Sequence, residues 1–183
     1  MNTKLTLDSS LLLSDAPTAL HSWITDDSSL TEKLVAASAG DFAVRVLQES
    51  WQVIQDSEER KLLGMSIGQN ALVREVALCC FGVPWVYARS VLPNSTLADQ
   101  EAELKNLKEK PLGAVLFSHP DMSRGPIHLS KLSAEVVTAC LGSELQNGLS
   151  EPVWGRASLF FLSGKPLLVS EYFLPSCIVG SPP

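Results

Sequence analysis

Hydrophobic patterns predict β-structure in three stretches of the chain, with alternating hydrophobic and polar positions in the first and apolar runs in the other two. Residues 42–55 are rich in Val, Phe, Trp and Ile, which predicts one bent strand or two short ones. Residues 74–93 and 156–175 each predict two apolar strands joined by a tight turn that contains Gly and Pro. An offset of 82 residues matches identical residues of the two stretches, which are Arg74 and Arg156, Gly82 and Gly164, Pro84 and Pro166, and Leu92-Pro93 and Leu174-Pro175. The two predicted hairpins therefore look like a duplicated half of one sheet.

Apolar residues at helical spacing predict two short helices near the N-terminus, over residues 16–25 and from Leu30 to about Gly40. Ser29 and Glu32 match the capping box that opens such a helix. We expect these helices to pack as a structural cover, and closure over a ligand is the alternative. The other elements predicted outside the hairpins are a charged turn, an amphipathic helix, a strand and a short helix, at residues 56–61, 97–109, 127–129 and 134–141.

Composition favours an ordinary globular protein without a nucleic-acid or membrane surface. The chain has 183 residues, of which 45% are hydrophobic and 19% charged, so we expect residues 1–183 to form a single domain. A net charge of -6 argues against binding to nucleic acid or to an anionic membrane, since both need a basic surface. The apolar runs are too short to span a bilayer, and Asp8 interrupts the N-terminal apolar character. A cytoplasmic, monomeric protein is expected.

Cysteine and histidine spacing gives no support to a metal site. The four cysteines show no CxxC spacing, and the three histidines are dispersed along the chain. Cys79 and Cys80 are neighbours on a predicted strand, so their side chains should point to opposite faces of the sheet. We expect free, buried thiols and no bound metal.

Ionisable residues at matched positions of the two hairpins predict a polar site. If each turn has four residues, Arg74 and Arg89 share one face of the first hairpin, and Arg156 and Glu171 share one face of the second. Buried charges need partners, which leaves two interpretations. Glu171 could form an internal ion pair with Arg89 or Arg156. Alternatively, the arginines could hold a carboxylated ligand, with Glu171 at its other end, because a guanidinium matches a carboxylate bidentately.

Several short motifs occur together in the order in which they are found in a known family. They are Val73-Arg74-Glu75, Gly82-Val-Pro84-Trp85, Ala88-Arg89-Ser-Val-Leu-Pro93, Pro111-Leu112-Gly113 and the stretch from Trp154-Gly155-Arg156 to Pro175. In this order, and from about Trp23 to Pro175, the chain resembles chorismate pyruvate-lyase. The combination of motifs is specific to that family, whereas any one motif would not be.

The resemblance implies both a fold and a reaction. The expected fold is α+β, with a single antiparallel sheet of about six strands, helices packed on it and a ligand buried under helical flaps. The expected reaction converts chorismate to 4-hydroxybenzoate and pyruvate, a step towards the ring of ubiquinone or plastoquinone. It needs no cofactor, and strong inhibition by the product is expected, since the product keeps the ring carboxylate.

The resemblance also implies the site residues. Arg74 and Arg89 would bind carboxylates, with Arg89 stabilising the departing enolpyruvate, and Leu112 would contact the ligand through its backbone. Glu171 would lie near the ring hydroxyl as the second catalytic residue. Leu30 would form an apolar wall where the family usually has methionine. Arg156 is expected to be structural, and residues 120–151 match the family poorly, so no site residue is expected there.

A non-catalytic sensor of small carboxylates is the alternative from another functional class. The ligand-binding domains of some bacterial transcription regulators resemble chorismate lyase in fold. Those domains are fused to a winged-helix DNA-binding module, for which the sequence ahead of Phe42 offers neither the length nor the basic charge.

Overall fold

An antiparallel sheet of seven strands forms the centre of the protein. The computed structural model describes residues 10–98, 102–145 and 147–179. The strands are β1 (Phe42–Val53), β2 (Asn70–Cys80), β3 (Val83–Pro93), β4 (Met122–Arg124), β5 (His128–Leu132), β6 (Val153–Leu162) and β7 (Lys165–Phe173). Their order is β1-β2-β3-β7-β6-β4, and β5 also pairs with β6. The predicted fold class is confirmed, and the seventh strand arises because two short strands share one edge of β6.

The two predicted hairpins are present, but their turns are tighter than expected. Each loop has two residues with positive φ, Phe81 (53°) and Gly82 (72°) in the first and Ser163 (48°) and Gly164 (79°) in the second. Positive φ at both positions is typical of a type I′ turn, whose twist matches the flanking strands. The four-residue turns on which the predicted register depended are therefore wrong.

The two hairpins differ by one residue in their pairing. Near its turn the first hairpin pairs Cys79 with Pro84, but Leu78 pairs with Val86, so Trp85 is an extra residue in β3. This β-bulge shifts the pairing of the rest of β3 by one residue, so each later side chain of β3 lies on the opposite face from the one that unshifted pairing would give. The second hairpin runs without a shift from its turn to the far end. The duplication seen in the sequence is therefore broken at Trp85.

Helices lie on both faces of the sheet. They are α1 (Thr18–Ile24), α2 (Leu30–Ala37), α3 (Ser57–Leu62), α4 (Asn94–Leu97), α5 (Ala102–Lys105), α6 (Leu112–Ser118), α7 (Ala134–Leu141) and α8 (Pro175–Val179), with 3-10 turns at Leu13–Asp15 and Gly142–Glu144. Apolar side chains of α1 and α2 pack on one face, and those of α6 extend the same layer. Residues next to α3 and on α7 pack on the other.

The helix predictions were confirmed in part. Ser29 caps α2 by accepting a hydrogen bond from the Glu32 N–H at 3.4 Å. The charged turn predicted at residues 56–61 is wrong, because Asp56 caps a helix there, accepting from two backbone N–H groups at 2.9 Å. The continuous helix predicted at 97–109 is also wrong. Helical structure stops at Lys105, shortly before Lys108 takes a positive φ of 50°, and residues 99–101 lie outside the described part.

Candidate functional site

A cavity lies between the sheet and the N-terminal ends of α2 and α6. Its empty volume, which includes space open to solvent, is about 580 Å³. The sheet supplies the floor, α2 and α6 supply the cover, and charged side chains stand among apolar ones. The lining of the cavity includes Leu30, Thr31, Arg74, Val76, Ala88, Ser90, Leu112, Gly113, Arg124, Arg156, Phe160, Val169 and Glu171.

Two neighbouring rows of paired residues form the floor. In one row Arg74 lies opposite Ser90, which lies opposite Val169. In the next row Ala88 lies opposite Glu171. Arg74 and Glu171 are therefore separated by two strand spacings across the sheet and by two residues along the strand. These spacings correspond to about 12 Å between their Cα atoms. The cationic Arg74 and the acidic Glu171 thus lie at opposite ends of the floor, and the side chains between them are small or apolar.

Arg74 is fixed at one end of the cavity, where only 2% of the residue is exposed. Its Nη1 donates to Glu49 Oε2 at 2.6 Å, and its Nη2 donates to the backbone carbonyls of Lys108 and of Lys110, the latter at 3.3 Å. These carbonyls immediately precede α6. The guanidinium is therefore held beside the segment that leads to Leu112.

Glu171 is paired with Arg156 at the other end of the cavity. Arg156 Nε donates to Glu171 Oε2 at 2.7 Å. Arg156 Nη1 donates to the carbonyls of Trp23 at 2.9 Å, Ile24 at 3.4 Å and Asp26, where α1 ends. A cation at this position also complements the negative end of the helix. Of the ion pairs considered for Glu171, the one with Arg156 is present, and Arg156 lines the cavity as well.

The cover brings Leu30 and Leu112 over the cavity. Each is the first residue of its helix, α2 and α6, and each lines the cavity. The two helices approach each other closely at Gly113, where an added Cβ would lie only 2.9 Å from Thr31 Oγ1. The N-terminal helices thus pack as part of the core, as predicted, and α2 also covers the cavity.

Arg124 is a cavity residue that the sequence did not reveal. It lies on β4, where its Nε donates to Ser158 Oγ at 3.2 Å and its Nη1 donates to the Asp27 carbonyl at 3.1 Å. Its guanidinium carbon lies 5.0 Å from the centre of the Phe160 ring. Burial, followed by the charge of Arg156, lowers the pKa of Arg124. A strand of three residues offers no periodicity from which its orientation could be predicted.

Arg89 lies on the opposite face of the sheet, so its expected place in the ligand site is wrong. The bulge at Trp85 puts Arg89 opposite Glu75, whereas Arg74 faces Ser90. Both Nη atoms of Arg89 donate to the Glu59 carboxylate, through Nη2 at 3.3 Å, and its Nε lies 3.7 Å from Glu75 Oε1. Glu59 belongs to α3, a helix that the sequence did not predict.

Replacing Arg89 with methionine is expected to lower the free energy of unfolding by about 3–5 kcal/mol near pH 8, because the Glu59 carboxylate loses its buried partner. Burial already raises the pKa of Glu59. Without Arg89 that pKa rises further, so the folded state binds more protons than the unfolded one and stability falls as pH rises. The destabilisation should therefore be smaller at pH 5. Urea unfolding at both pH values measures it.

Pairing Arg89→Met with Glu59→Gln supplies the control, since an amide buried there carries no charge. The double variant should recover most of the lost stability and show little dependence on pH between 5 and 8. Equal losses at both pH values, with no recovery in the double variant, would contradict a buried ion pair.

The cysteines are free, and three of them are buried. Cys79 and Cys80 belong to clusters on opposite faces of the sheet, as predicted. Burial raises the pKa of Cys79 to about 11 and that of Cys177 to about 12, so both remain thiols at neutral pH. Among the described residues, no three His, Cys, Asp or Glu side chains are grouped to hold a metal ion. No helix in that part of the chain has the length and apolar composition that crossing a bilayer requires.

Comparison with known proteins identifies similar sequences over most of the chain. A family model described as chorismate lyase matches residues 1–180. A relative from Psychromonas ingrahamii, described as a probable chorismate pyruvate-lyase, is 41% identical over 159 residues, which cover 86% of this chain and 83% of the relative. One from an Azoarcus species, described in the same words, is 40% identical over 167 residues, covering 89% of this chain and 87% of the relative.

Solved structures show the same fold at low sequence identity. A GntR-family transcriptional regulator from Bacillus cereus matches with a TM-score of 0.55 at 12% identity, covering 74% of this chain and 93% of that one. The ligand-binding domain of a GntR-family regulator from Bordetella bronchiseptica matches with a TM-score of 0.52 at 17% identity, covering 74% of this chain and 86% of that one. At these identities the likeness concerns the fold alone.

Proposed function

Because this chain belongs to the chorismate lyase family, we propose that it is a chorismate pyruvate-lyase, a carbon–oxygen lyase that converts chorismate to 4-hydroxybenzoate and pyruvate. The observation that carries the proposal is the floor of the cavity, where Arg74 and Glu171 stand at opposite ends of a small and apolar surface. Such a floor suits a six-membered ring that carries a carboxylate at one end and a hydroxyl at the other.

The ring carboxylate of chorismate binds at the Arg74 end. Arg74 is buried and already positioned by Glu49, so it loses little side-chain freedom when the ligand binds. Leu112 is the first residue of α6, where backbone N–H groups lack partners within the helix, and its N–H donates to the same carboxylate. Two donors on one carboxylate fix the direction of the ring across the floor.

The hydroxyl end of the ring lies against Glu171. The reaction breaks the ether bond to the enolpyruvyl group and removes the proton from the ring carbon that bears the hydroxyl. The released enolpyruvate takes up a proton and becomes pyruvate, while the ring becomes aromatic. Glu171 orients the hydroxyl or mediates this proton transfer, and the hydrogen bond from Arg156 Nε holds its carboxylate in place.

The protein mainly supplies orientation and exclusion of water. The elimination is redox-neutral and gains aromatic stabilisation, so the proposal includes no cofactor. Leu30 and Leu112 close the cavity from above, and Val76 and Ala88 lie below. Inside such an apolar enclosure the charges of Arg74 and Glu171 act more strongly than they would in water.

Purified protein incubated with chorismate and no added cofactor should release pyruvate and 4-hydroxybenzoate in equal amounts. Glu171→Gln is expected to lower kcat by roughly 10- to 100-fold, since an amide replaces a charge-assisted hydrogen bond worth about 1.5–3 kcal/mol. Stopped assays that quantify both products measure the two predictions.

Glu171→Asp serves as the matched variant, because it keeps the charge and shortens the side chain. Wild-type turnover in Glu171→Gln would exclude Glu171 from proton transfer. Release of neither product by the wild type would exclude the lyase altogether. Thermal stabilisation by 4-hydroxybenzoate in that case would favour the carboxylate sensor, whose fold the GntR-family domains share.

Residues 1–183 act as one domain and one monomeric catalytic unit in the cytoplasm, with chorismate as partner and no nucleic acid. The 4-hydroxybenzoate supplies the ring of ubiquinone or plastoquinone. The product also inhibits the enzyme strongly, because it keeps the carboxylate and hydroxyl that the two ends of the floor bind.

A further inference from the structure

We propose that Arg124 binds the carboxylate of the enolpyruvyl group and stabilises the negative charge that develops on this group as it leaves. The inference rests on the proposed lyase function and adds a substrate-contacting residue to it. Arg124 would thus stabilise the departing enolpyruvate, the role expected of Arg89. Arg89 itself lies on the other face of the sheet, where it pairs with Glu59.

The chemistry of chorismate determines which end of the cavity receives the enolpyruvyl group. The ether that carries this group is on the ring carbon next to the one that bears the hydroxyl. If the hydroxyl lies against Glu171, the enolpyruvyl carboxylate must lie near the Glu171 end, away from Arg74. Of the residues that line the cavity, the cations at that end are Arg124 and Arg156, which interact electrostatically with each other and with Glu171.

Arg156 is already committed to other groups. Its Nε donates to Glu171, and its Nη1 is shared among three backbone carbonyls at the end of α1. Moving this guanidinium towards a ligand would break the ion pair with Glu171 and release the end of the helix. Arg156 therefore serves the site by holding Glu171.

Arg124 is the cavity arginine that forms no ion pair with a carboxylate among the described residues. Its Nε and Nη1 donate to neutral oxygens, Ser158 Oγ and the Asp27 carbonyl. None of the ion pairs between described residues includes Arg124, whereas Arg74 pairs with Glu49 and Arg156 pairs with Glu171. Burial and the nearby charge of Arg156 lower the pKa of Arg124, and the charges of Glu171, Asp27 and Asp26 offset this only in part. A second ligand carboxylate at this point would give the Arg124 guanidinium a direct anionic partner.

The position of Arg124 suits transition-state stabilisation. Breaking the ether bond moves its electron pair onto the enolpyruvate oxygen, next to the carboxylate of the same group. A guanidinium bound to that carboxylate lies close to the developing charge, and its packing on Phe160 keeps it oriented. The interaction therefore strengthens as the bond breaks, which raises kcat as well as affinity.

The test compares two ligands that differ in the group Arg124 would bind. Arg124→Met should lower kcat/KM for chorismate by at least about 30-fold, as expected for loss of a charged contact. The same variant should change the Kd for 4-hydroxybenzoate, which lacks the enolpyruvyl carboxylate, by less than about threefold. Arg124→Lys keeps the charge without the planar fork, so its kcat/KM should fall between those of the wild type and Arg124→Met.

Other outcomes would overturn the inference. An equal loss for both ligands would mean that Arg124 acts by fastening the α1–α2 turn through Asp27. Unchanged kcat/KM in Arg124→Met, with an active wild type, would show that Arg124 does not contact the leaving group. If Arg124→Met is not folded by circular dichroism, Arg124→Lys decides alone, and kcat/KM equal to wild type in that variant contradicts the bidentate contact. An inactive wild type would instead refute the proposed lyase function.

Discussion

Arg74→Met is expected to lower kcat/KM for chorismate by roughly 30- to several-thousand-fold, the effect of losing a buried, hydrogen-bonded charge contact worth about 2–5 kcal/mol. Arg74 is 2% exposed, and Glu49 and two backbone carbonyls hold its guanidinium at this end of the cavity. The ring carboxylate would then be buried without its main counter-charge.

Binding of the product 4-hydroxybenzoate should weaken in Arg74→Met, because the product keeps the ring carboxylate. This effect distinguishes Arg74 from Arg124, whose replacement should leave product binding almost unchanged. The wild type should bind 4-hydroxybenzoate with an inhibition constant at or below KM, since both ligands share the ring carboxylate. In Arg74→Met the inhibition constant should rise at least as much as KM. A wild-type inhibition constant far above KM would contradict tight product binding.

The structural role of Arg74 calls for its own control. Glu49→Gln removes the charge that pairs with Arg74 while leaving the guanidinium and its carbonyl partners. Glu49 is 27% exposed in its side chain, so this change should cost little stability. If Glu49→Gln lowers kcat/KM as much as Arg74→Met does, Arg74 acts through the fold and does not bind the substrate.

Gly155→Ala is expected to lower the free energy of unfolding by about 3 kcal/mol or more, at the upper end of what overpacking costs. A Cβ at this position would lie 2.3 Å from the Glu171 carbonyl oxygen and 2.6 Å from Tyr172 Cδ1. The first contact is with backbone, so β6 and β7 must move apart. Because the displaced strand carries Glu171, kcat should fall in the molecules that still fold.

Gly148→Ala is the matched control for Gly155→Ala. The nearest atom to its added Cβ is Thr138 Cγ2 at 3.5 Å, an ordinary van der Waals contact. Urea unfolding should therefore place Gly148→Ala within about 1 kcal/mol of the wild type. Stability of Gly155→Ala equal to that of Gly148→Ala would mean that β6 and β7 do not pack as described.

The fold was largely predictable because the strands of its two hairpins are apolar runs and their turns carry glycine. The matched hairpins, the cap at Ser29 and the short helix at residues 134–141 follow from local pattern alone. The ends of the floor, Arg74 and Glu171, were also identified, since a charged side chain on an apolar strand is conspicuous.

The parts that were missed depend on contacts distant in sequence. No local signal in the sequence marks the extra residue at Trp85. A prediction without that residue assigns the side chains of β3 to the wrong faces of the sheet, and Arg89 is then placed on the face of Arg74. The helix that supplies Glu59 spans six residues, too few for a helical period to appear among its charges. Arg124 owes its place to pairing of β4 with the far end of β6.

The bulge at Trp85 has a further consequence for the arginines of the first hairpin. If the pairing of Cys79 with Pro84 continued unshifted, Arg74 would lie directly opposite Arg89, and like charges at such positions repel. In the second hairpin the corresponding residues are Arg156 and Glu171, which attract and pair in unshifted register. The extra residue at Trp85 thus prevents a repulsion in the first hairpin that does not arise in the second. It also places Arg74 and Arg89 on opposite faces of the sheet, where Arg74 pairs with Glu49 and Arg89 pairs with Glu59.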